Sequence, residues 1–271
     1  MGEPRRSGTM ICPGCGRLIS ANASECIYCG RKNVRLWGAF SFFDKYFGTD
    51  FAFHDAVSIV CIILYVISVV FEQFNAASLF GPGDFALKEL GATGSWAVAN
   101  ERYWTFITAM YLHGNILHIF FNLLWIRQIA PVVQDLFDTS RLIIIFTFSG
   151  VIGFILSSFF NYLTIGASGS IFGLLAALIY YGRSRGGTFG TDIYLQVGRW
   201  AILLFVFGLF FPRVDNYGHA GGFIGGLLCA YILGYKERSP EKLVHKIVAL
   251  ICVGLTIVAF VLTFLTIKNV H

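Results

Sequence analysis

The chain has 271 residues, of which 56% are hydrophobic and only 13% charged, and its mean hydropathy is +0.70. That composition excludes a water-soluble globular domain, in which about a quarter of the residues are charged. Seven cysteines, an odd number, exclude a fully paired disulfide framework, and the net charge of +5 suggests nucleic-acid affinity only until its distribution is read.

The first 35 residues lack an apolar core followed by small residues, so no cleavable signal peptide is expected there. They hold instead two CxxCG knuckles, Cys12-Pro13-Gly14-Cys15-Gly16 and Cys26-Ile27-Tyr28-Cys29-Gly30, ten residues apart. Paired loops of this kind suit a tetrahedral thiolate site, and disulfides would not persist in a reducing cytoplasm, so a structural zinc held by Cys12, Cys15, Cys26 and Cys29 is expected. The reading is a small zinc ribbon, unfolded without its metal, that serves either as a structural module or as a docking module for a cytoplasmic protein partner. All four positions are filled by protein, which argues against catalytic zinc. Residues 36–52 form a linker in which Leu36, Phe40, Phe43 and Phe47 recur at helical spacing. Either a helix lying in the membrane interface or an aromatic belt accounts for them.

Seven apolar runs follow, at Phe53–Phe71, Gly114–Leu136, Leu142–Leu163, Ser168–Gly182, Trp200–Phe211, Gly218–Tyr235 and Ile247–Ile267, long enough or nearly so to span a core of about 30 Å. The fourth and fifth are short and must be shielded by neighbours. Cys61, Cys229 and Cys252 lie within runs and behave as small hydrophobes. Sixteen of the twenty Lys and Arg residues fall before the first run or in alternate connections, which the positive-inside rule makes cytoplasmic. The basic balance is therefore topology, not nucleic-acid binding. The N-terminus is expected in the cytoplasm and the C-terminus outside.

This orientation starts the second, fourth and sixth helices at the external face and puts His118, Asn122, Ser168 and His219 at one depth below it. Strongly polar groups at such depth carry either a partner or a function. Ser168 with Gly169 and Gly173 reads as a small-residue packing face, and His219 alone reads as a packing histidine. Yet Gly222 and Gly226 lie on the same face as His219, and two glycine-faced helices can approach until a Ser–His hydrogen bond of about 2.6–3.2 Å forms. Phe172, one turn below Ser168, is placed to wall the imidazole. No acid is positioned for a triad, so a dyad is predicted. His118 and Asn122, four residues apart, make either an interhelical hydrogen bond or an oxyanion hole completed by the Ser168 backbone N–H. His113 is read as a structural residue beside them.

Taken together, His113-x4-His118-x3-Asn122, Gly166-x-Ser168-Gly169 and Gly218-His219-x2-Gly222-x3-Gly226 resemble the rhomboid intramembrane serine proteases. The resemblance covers Phe53 to Tyr235. It implies a six-helix core with the nucleophile on the fourth helix and the base on the sixth, here followed by an extra transmembrane helix. The long first external connection, Gln73 to Tyr103, is similar to the family's membrane-dipping loop, although Thr105 stands where many members have arginine after the tryptophan.

The expected fold is thus an all-α polytopic membrane protein: zinc ribbon 1–35, linker 36–52, catalytic core 53–235, and a cytoplasmic loop with one further transmembrane helix at 236–271. The expected function is intramembrane serine endopeptidase cleavage of single-pass transmembrane substrates near the external face of a bacterial cell membrane, with no catalytic cofactor. The resemblance implies substrates whose helices unwind easily and carry small residues at the cut. Two other classes compete. A non-cleaving relative would bind transmembrane clients without cutting them, and intact Ser168 and His219 weigh against it. A zinc-ribbon-regulated transporter would carry polar residues at mid-membrane, whereas here they cluster at the outer ends.

Overall fold

A computed structural model describes residues 9–11, 17–20, 26–28, 52–71, 81–211 and 213–267. The chain divides into two compact units, Met1–Ala52 and Phe53–His271. In the first, β1 (Thr9–Ile11) and β2 (Leu18–Ser20) pair antiparallel with Ile11 opposite Leu18. Cys12, Cys15 and Cys29 lie outside the described residues, as does almost all of the 36–52 linker; Cys26 is described and buried.

The second unit is helical: α1 (Phe53–Phe71), α2 (Asp84–Glu89), α3 (Ser95–Ala99), α4 (Thr105–Thr108), a 3-10 turn (Ala109–Tyr111), then α5 (Ile116–Phe137), α6 (Thr139–Ser157), α7 (Ser168–Arg185), α8 (Gly187–Leu209), α9 (Asn216–Leu233) and α10 (Leu243–Ile267). Seven of these have 18 residues or more, and α1, α5, α6, α8 and α10 are long and apolar enough to cross a membrane. The other two, α7 and α9, are diluted by glycine and by polar first turns. They sit innermost, pressed against α6, whose apolar stretch is 61% buried against 11% for α8.

The fifth helix departs from the sequence reading. It starts at Gly187, not Trp200, so Arg199 lies inside a helix and not in a connection. The reason is local: Gly186 at φ 67° caps α7 and turns the chain at once, and Gly182 and Gly190 bring α7 and α8 to backbone contact. Polar Thr188, Thr191 and Asp192 hid the helical spacing of Phe189, Ile193 and Val197. The third run ends at Ser157 rather than Leu163.

Arg141 also departs from its expected place in a connection. It is fully buried in the first turn of α6. Its guanidinium donates to Asp138 Oδ2 at 2.8 Å and to the carbonyls of Phe137, Ser239 and Pro240, tying α6 to the segment before α10. With four acceptors on its two terminal nitrogens this buried charge is a structural clamp, although its Nε has no partner, and removing one partner of such a pair typically costs about 3–5 kcal/mol.

The connection between α1 and α5 is anchored by another arginine. Arg102 Nη1 donates to the Lys88 carbonyl at 3.0 Å, and the guanidinium lies over the Trp96 ring at 5.2 Å. Thr105, the residue in the arginine's place, is fully buried; its hydroxyl donates to the Arg102 carbonyl and stands 3.0 Å from Thr93 Oγ1. The seventh long helix braces this connection: Trp104 Nε1 donates to Thr263 Oγ1 at 3.1 Å.

Candidate active site

Three of the long helices begin with a side-chain cap, and the site is built at two of those starts. Asn115 caps α5 by accepting from the His118 N–H at 2.8 Å, and Asp215 caps α9 by accepting from the Gly218 N–H at 2.8 Å. These caps satisfy donors that no intrahelical carbonyl reaches. Helix α7 has no side-chain cap; Ser168 is its first residue, so its hydroxyl stands at a helix N-terminus.

Glycine spacing then brings the helices together. A Cβ on Gly222 would fall on the Gly169 carbonyl, and one on Gly226 on the Gly173 carbonyl. The two helices therefore touch backbone to backbone, as the sequence spacing requires. A third face, absent from the sequence reading, completes the wedge: Gly153 of α6 packs against the Gly218 carbonyl, and Ser149 fills the space over Gly173.

At the mouth of this wedge, His219 Nε2 lies 2.9 Å from Ser168 Oγ. For Nε2 to accept the hydroxyl proton, the ring proton must be on Nδ1. Phe172 stacks on the imidazole, with ring centroids 4.4 Å apart and an interplanar angle of 18°. No carboxylate meets Nδ1 among the described residues. A serine hydroxyl bonded to a walled, buried imidazole can surrender its proton and become a nucleophile without a third group.

His118 sits beside the serine loop. Gly166 has φ 115°, a left-handed conformation that suits glycine, and its missing side chain leaves room for the His118 ring: a Cβ there would lie 2.6 Å from Nε2. The Gly114 N–H faces His118 Nδ1 at 3.5 Å, which leaves the proton on Nε2, the nitrogen turned toward the Gly166–Ser168 loop. His113 is fully buried and meets His118 edge-on at 5.0 Å.

Asn122 is buried, and one of its amide hydrogens bonds the His118 carbonyl at 2.8 Å, leaving the second free to donate. Among the described residues there is no cluster of three or more side chains fit to hold a metal.

One residue of the site escaped the sequence reading. Asp215 Oδ2 accepts from Ser157 Oγ and Thr164 Oγ1, both at 2.5 Å, and Oδ1 accepts from Asn161 Nδ2 and the Gly218 N–H, both at 2.8 Å. The available signal was a helix-capping aspartate one residue before α9; its other three partners lie more than fifty positions away.

A half-buried Ser168 in contact with a buried His219 at the N-terminal ends of two glycine-packed helices, among helices that can span a bilayer, marks a multi-pass integral membrane protein. Residues 100–236 match the Rhomboid domain family, which covers half of the chain. The chain belongs to the rhomboid family. It is 35% identical over 153 residues to "Rhomboid protease GluP" of Bacillus subtilis strain 168, covering 55% of this chain and 29% of that protein. It is 30% identical over 177 residues to "RHOMBOID-like protein 7" of Arabidopsis thaliana, covering 64% of this chain and 56% of that one. With "Rhomboid-like protease 3" of Toxoplasma gondii it shares 28% over 187 residues, 65% of this chain and 67% of the other. The chain thus spans less than two thirds of the first two relatives.

Proposed function

We propose that this protein is an intramembrane serine endopeptidase whose nucleophile is Ser168 and whose general base is His219. The observation that carries the reading is the 2.9 Å contact between Ser168 Oγ and His219 Nε2. Ser168 Oγ attacks the scissile carbonyl carbon and its proton passes to Nε2. The tetrahedral oxyanion collapses, the C–N bond breaks, and the imidazolium returns the proton to the leaving amine. Water, deprotonated by the same imidazole, hydrolyses the acyl-enzyme. The second amide N–H of Asn122, the Nε2–H of His118 and the Ser168 backbone N–H hold the oxyanion, the last two in the first turn of a helix. His113, packed edge-on against His118, fixes that ring, and Phe172 fixes the other.

In this reading the seven long helices are a six-helix core (α1, α5, α6, α7, α8, α9) followed by α10 as an extra span. The dyad lies near the external face, and substrates are single-pass proteins whose helices unwind there. The relatives named as proteases support the activity. The polar groups gathered at one set of helix ends fit a cleavage site better than a transport path. A client-binding protein that does not cut would have no use for the Ser–His contact.

The test uses a fluorophosphonate probe and a transmembrane substrate in detergent. Wild type labels on Ser168 and cleaves; Ser168→Ala and His219→Ala remain folded and do neither. Cleavage by Ser168→Ala near the wild-type rate would sink the assignment.

The first unit is, in the same reading, a zinc ribbon. What supports this is that Cys12 and Cys15 lie in sequence between two strands that pair antiparallel, and that Cys26 is buried at 1% exposure. Four thiolates from Cys12, Cys15, Cys26 and Cys29 suit zinc, which would supply folding energy and no chemistry to the dyad. Elemental analysis should give one zinc per chain, lost when the four are replaced by serine. Deleting residues 1–35 should leave turnover in detergent unchanged. Loss of turnover with an intact membrane domain would join the ribbon to the catalytic machinery.

A further inference from the structure

We propose that Asp215 is a positioning residue for the dyad: its carboxylate gathers donors from α6, from the loop that leads to Ser168 and from α9, and so sets the distance between Ser168 and His219. The proposal rests on the protease reading above. Asp215 touches neither dyad side chain; it acts through the backbone segments that carry them.

The geometry makes the carboxylate a common anchor. Ser157 is the last residue of α6, Asn161 and Thr164 lie in the following loop, and Gly218 is in the first turn of α9. Thr164 precedes Ser168 by four residues and Asp215 precedes His219 by four, so each dyad residue is one short segment from the same carboxylate. Both segments are otherwise held. Thr164 is pinned to Thr93 by reciprocal backbone bonds at 2.7 and 3.1 Å, and the His219 N–H donates to the Asp215 carbonyl at 3.0 Å.

Four donors on two oxygens fill a carboxylate, and all four bonds are charge-assisted. A simple helix cap needs only one of them. The other three have no role in α9 itself; they join α9 to the loop before the nucleophile. Neighbouring Gly153 and Gly169, both against the Gly218 carbonyl, set how closely the helices lie. Asp215 sets where along that contact His219 meets Ser168. A misplacement of about 1 Å at such a site can cost roughly 100-fold in rate.

The experiment compares wild type with Asp215→Ala, Asp215→Ser, Thr164→Val and the double variant Asp215→Ala/Thr164→Val, measuring kcat, KM, melting temperature and the rate of fluorophosphonate labelling at Ser168. Asp215→Ala is expected to lower kcat and labelling about 10- to 100-fold with KM within about twofold. Asp215→Ser restores the cap to Gly218 and with it most of the melting temperature, yet cannot reach the three remaining donors, so kcat stays low. Adding Thr164→Val to Asp215→Ala lowers kcat no further.

If Asp215→Ser recovers kcat together with stability, Asp215 is only a cap and the proposal fails. If Asp215→Ala does not fold, Thr164→Val decides: kcat about tenfold down at an unchanged melting temperature supports the proposal, and wild-type kcat overturns it. A wild type that takes no label defeats the protease reading itself. A labelling wild type matched by an equally fast Asp215→Ala defeats only the positioning role.

Discussion

The inner helices α6, α7 and α9 and the outer helices α1, α5, α8 and α10 are held by different means. Inside, the packing surface is the backbone: Gly169 against Gly222, Gly173 against Gly226, Gly153 against Gly218. Outside, apart from the Gly182–Gly190 backbone contact at the α7–α8 turn, side chains make the contacts, as in the Trp125–Trp200 pair at 5.7 Å between α5 and α8, and large apolar groups such as Ile202 and Leu250 remain exposed. Lipid is as apolar as leucine, so helix association in a bilayer depends on close van der Waals packing, which small residues permit. The difference teaches where accuracy is needed. A 2.9 Å hydrogen bond between two helices requires a separation set to tenths of an ångström, and backbone contact sets it with no rotamer to adjust. The outer helices face lipid and tolerate looser fits.

The largest expected effect comes from adding one methyl group to the inner contact. In Gly222→Ala and Gly226→Ala the new Cβ meets a carbonyl of α7, which no side-chain rotation relieves. The helices must separate, at a cost of about 1–3 kcal/mol in stability. Turnover should fall at least about 100-fold, because the dyad geometry opens with the helices. Melting temperature and kcat on the same samples check this. A Gly226→Ala protein with wild-type turnover would break the link between backbone contact and the site.

A smaller effect, of about 10²–10³ in kcat, is expected for Asn122→Ala. Asn122 belongs to α5, an outer helix, yet it is buried on the side toward the site. Its replacement sharpens the comparison by asking whether the boundary runs between helices or between faces. An oxyanion donor should leave KM and melting temperature nearly unchanged. A fall in melting temperature alone would make Asn122 a helix-packing residue, its amide serving only the His118 carbonyl.

The inner region was the more legible in the sequence. Glycines at i+3 and i+7 from His219, and at i+1 and i+5 from Ser168, announce a backbone-packed face by spacing alone. The starts of α5 and α9 were readable to within two residues because the apolar runs begin there. What escaped required partners distant in sequence. Asp215 is an unremarkable cap until Ser157, Asn161 and Thr164 are brought to it, and Gly153 is one small residue among many in α6 until Gly218 lies against it. The start of α8 was hidden because polar Thr188, Thr191 and Asp192 interrupt the apolar spacing of its first turns. Arg141 looked like a topology signal; its burial depends on carbonyls nearly a hundred positions away.

The smallest effect serves as the control that gives the others meaning. Gly198 in α8 and Gly254 in α10 occupy helices as regular as α9, but a Cβ at either position would meet nothing within 4 Å. Alanine is favoured over glycine within a helix by about 1 kcal/mol in water, because it restricts the unfolded backbone. Part of that gain should persist in detergent. Gly198→Ala and Gly254→Ala should therefore keep turnover within about twofold and leave the melting temperature unchanged or raise it by roughly 2–4 °C. The same chemical change then has opposite signs in the two regions, decided only by what lies opposite the new methyl group. If either outer variant lost activity as Gly222→Ala does, glycine would matter here through backbone flexibility rather than close approach. The inner wedge would then have no special claim to setting the distance between Ser168 and His219.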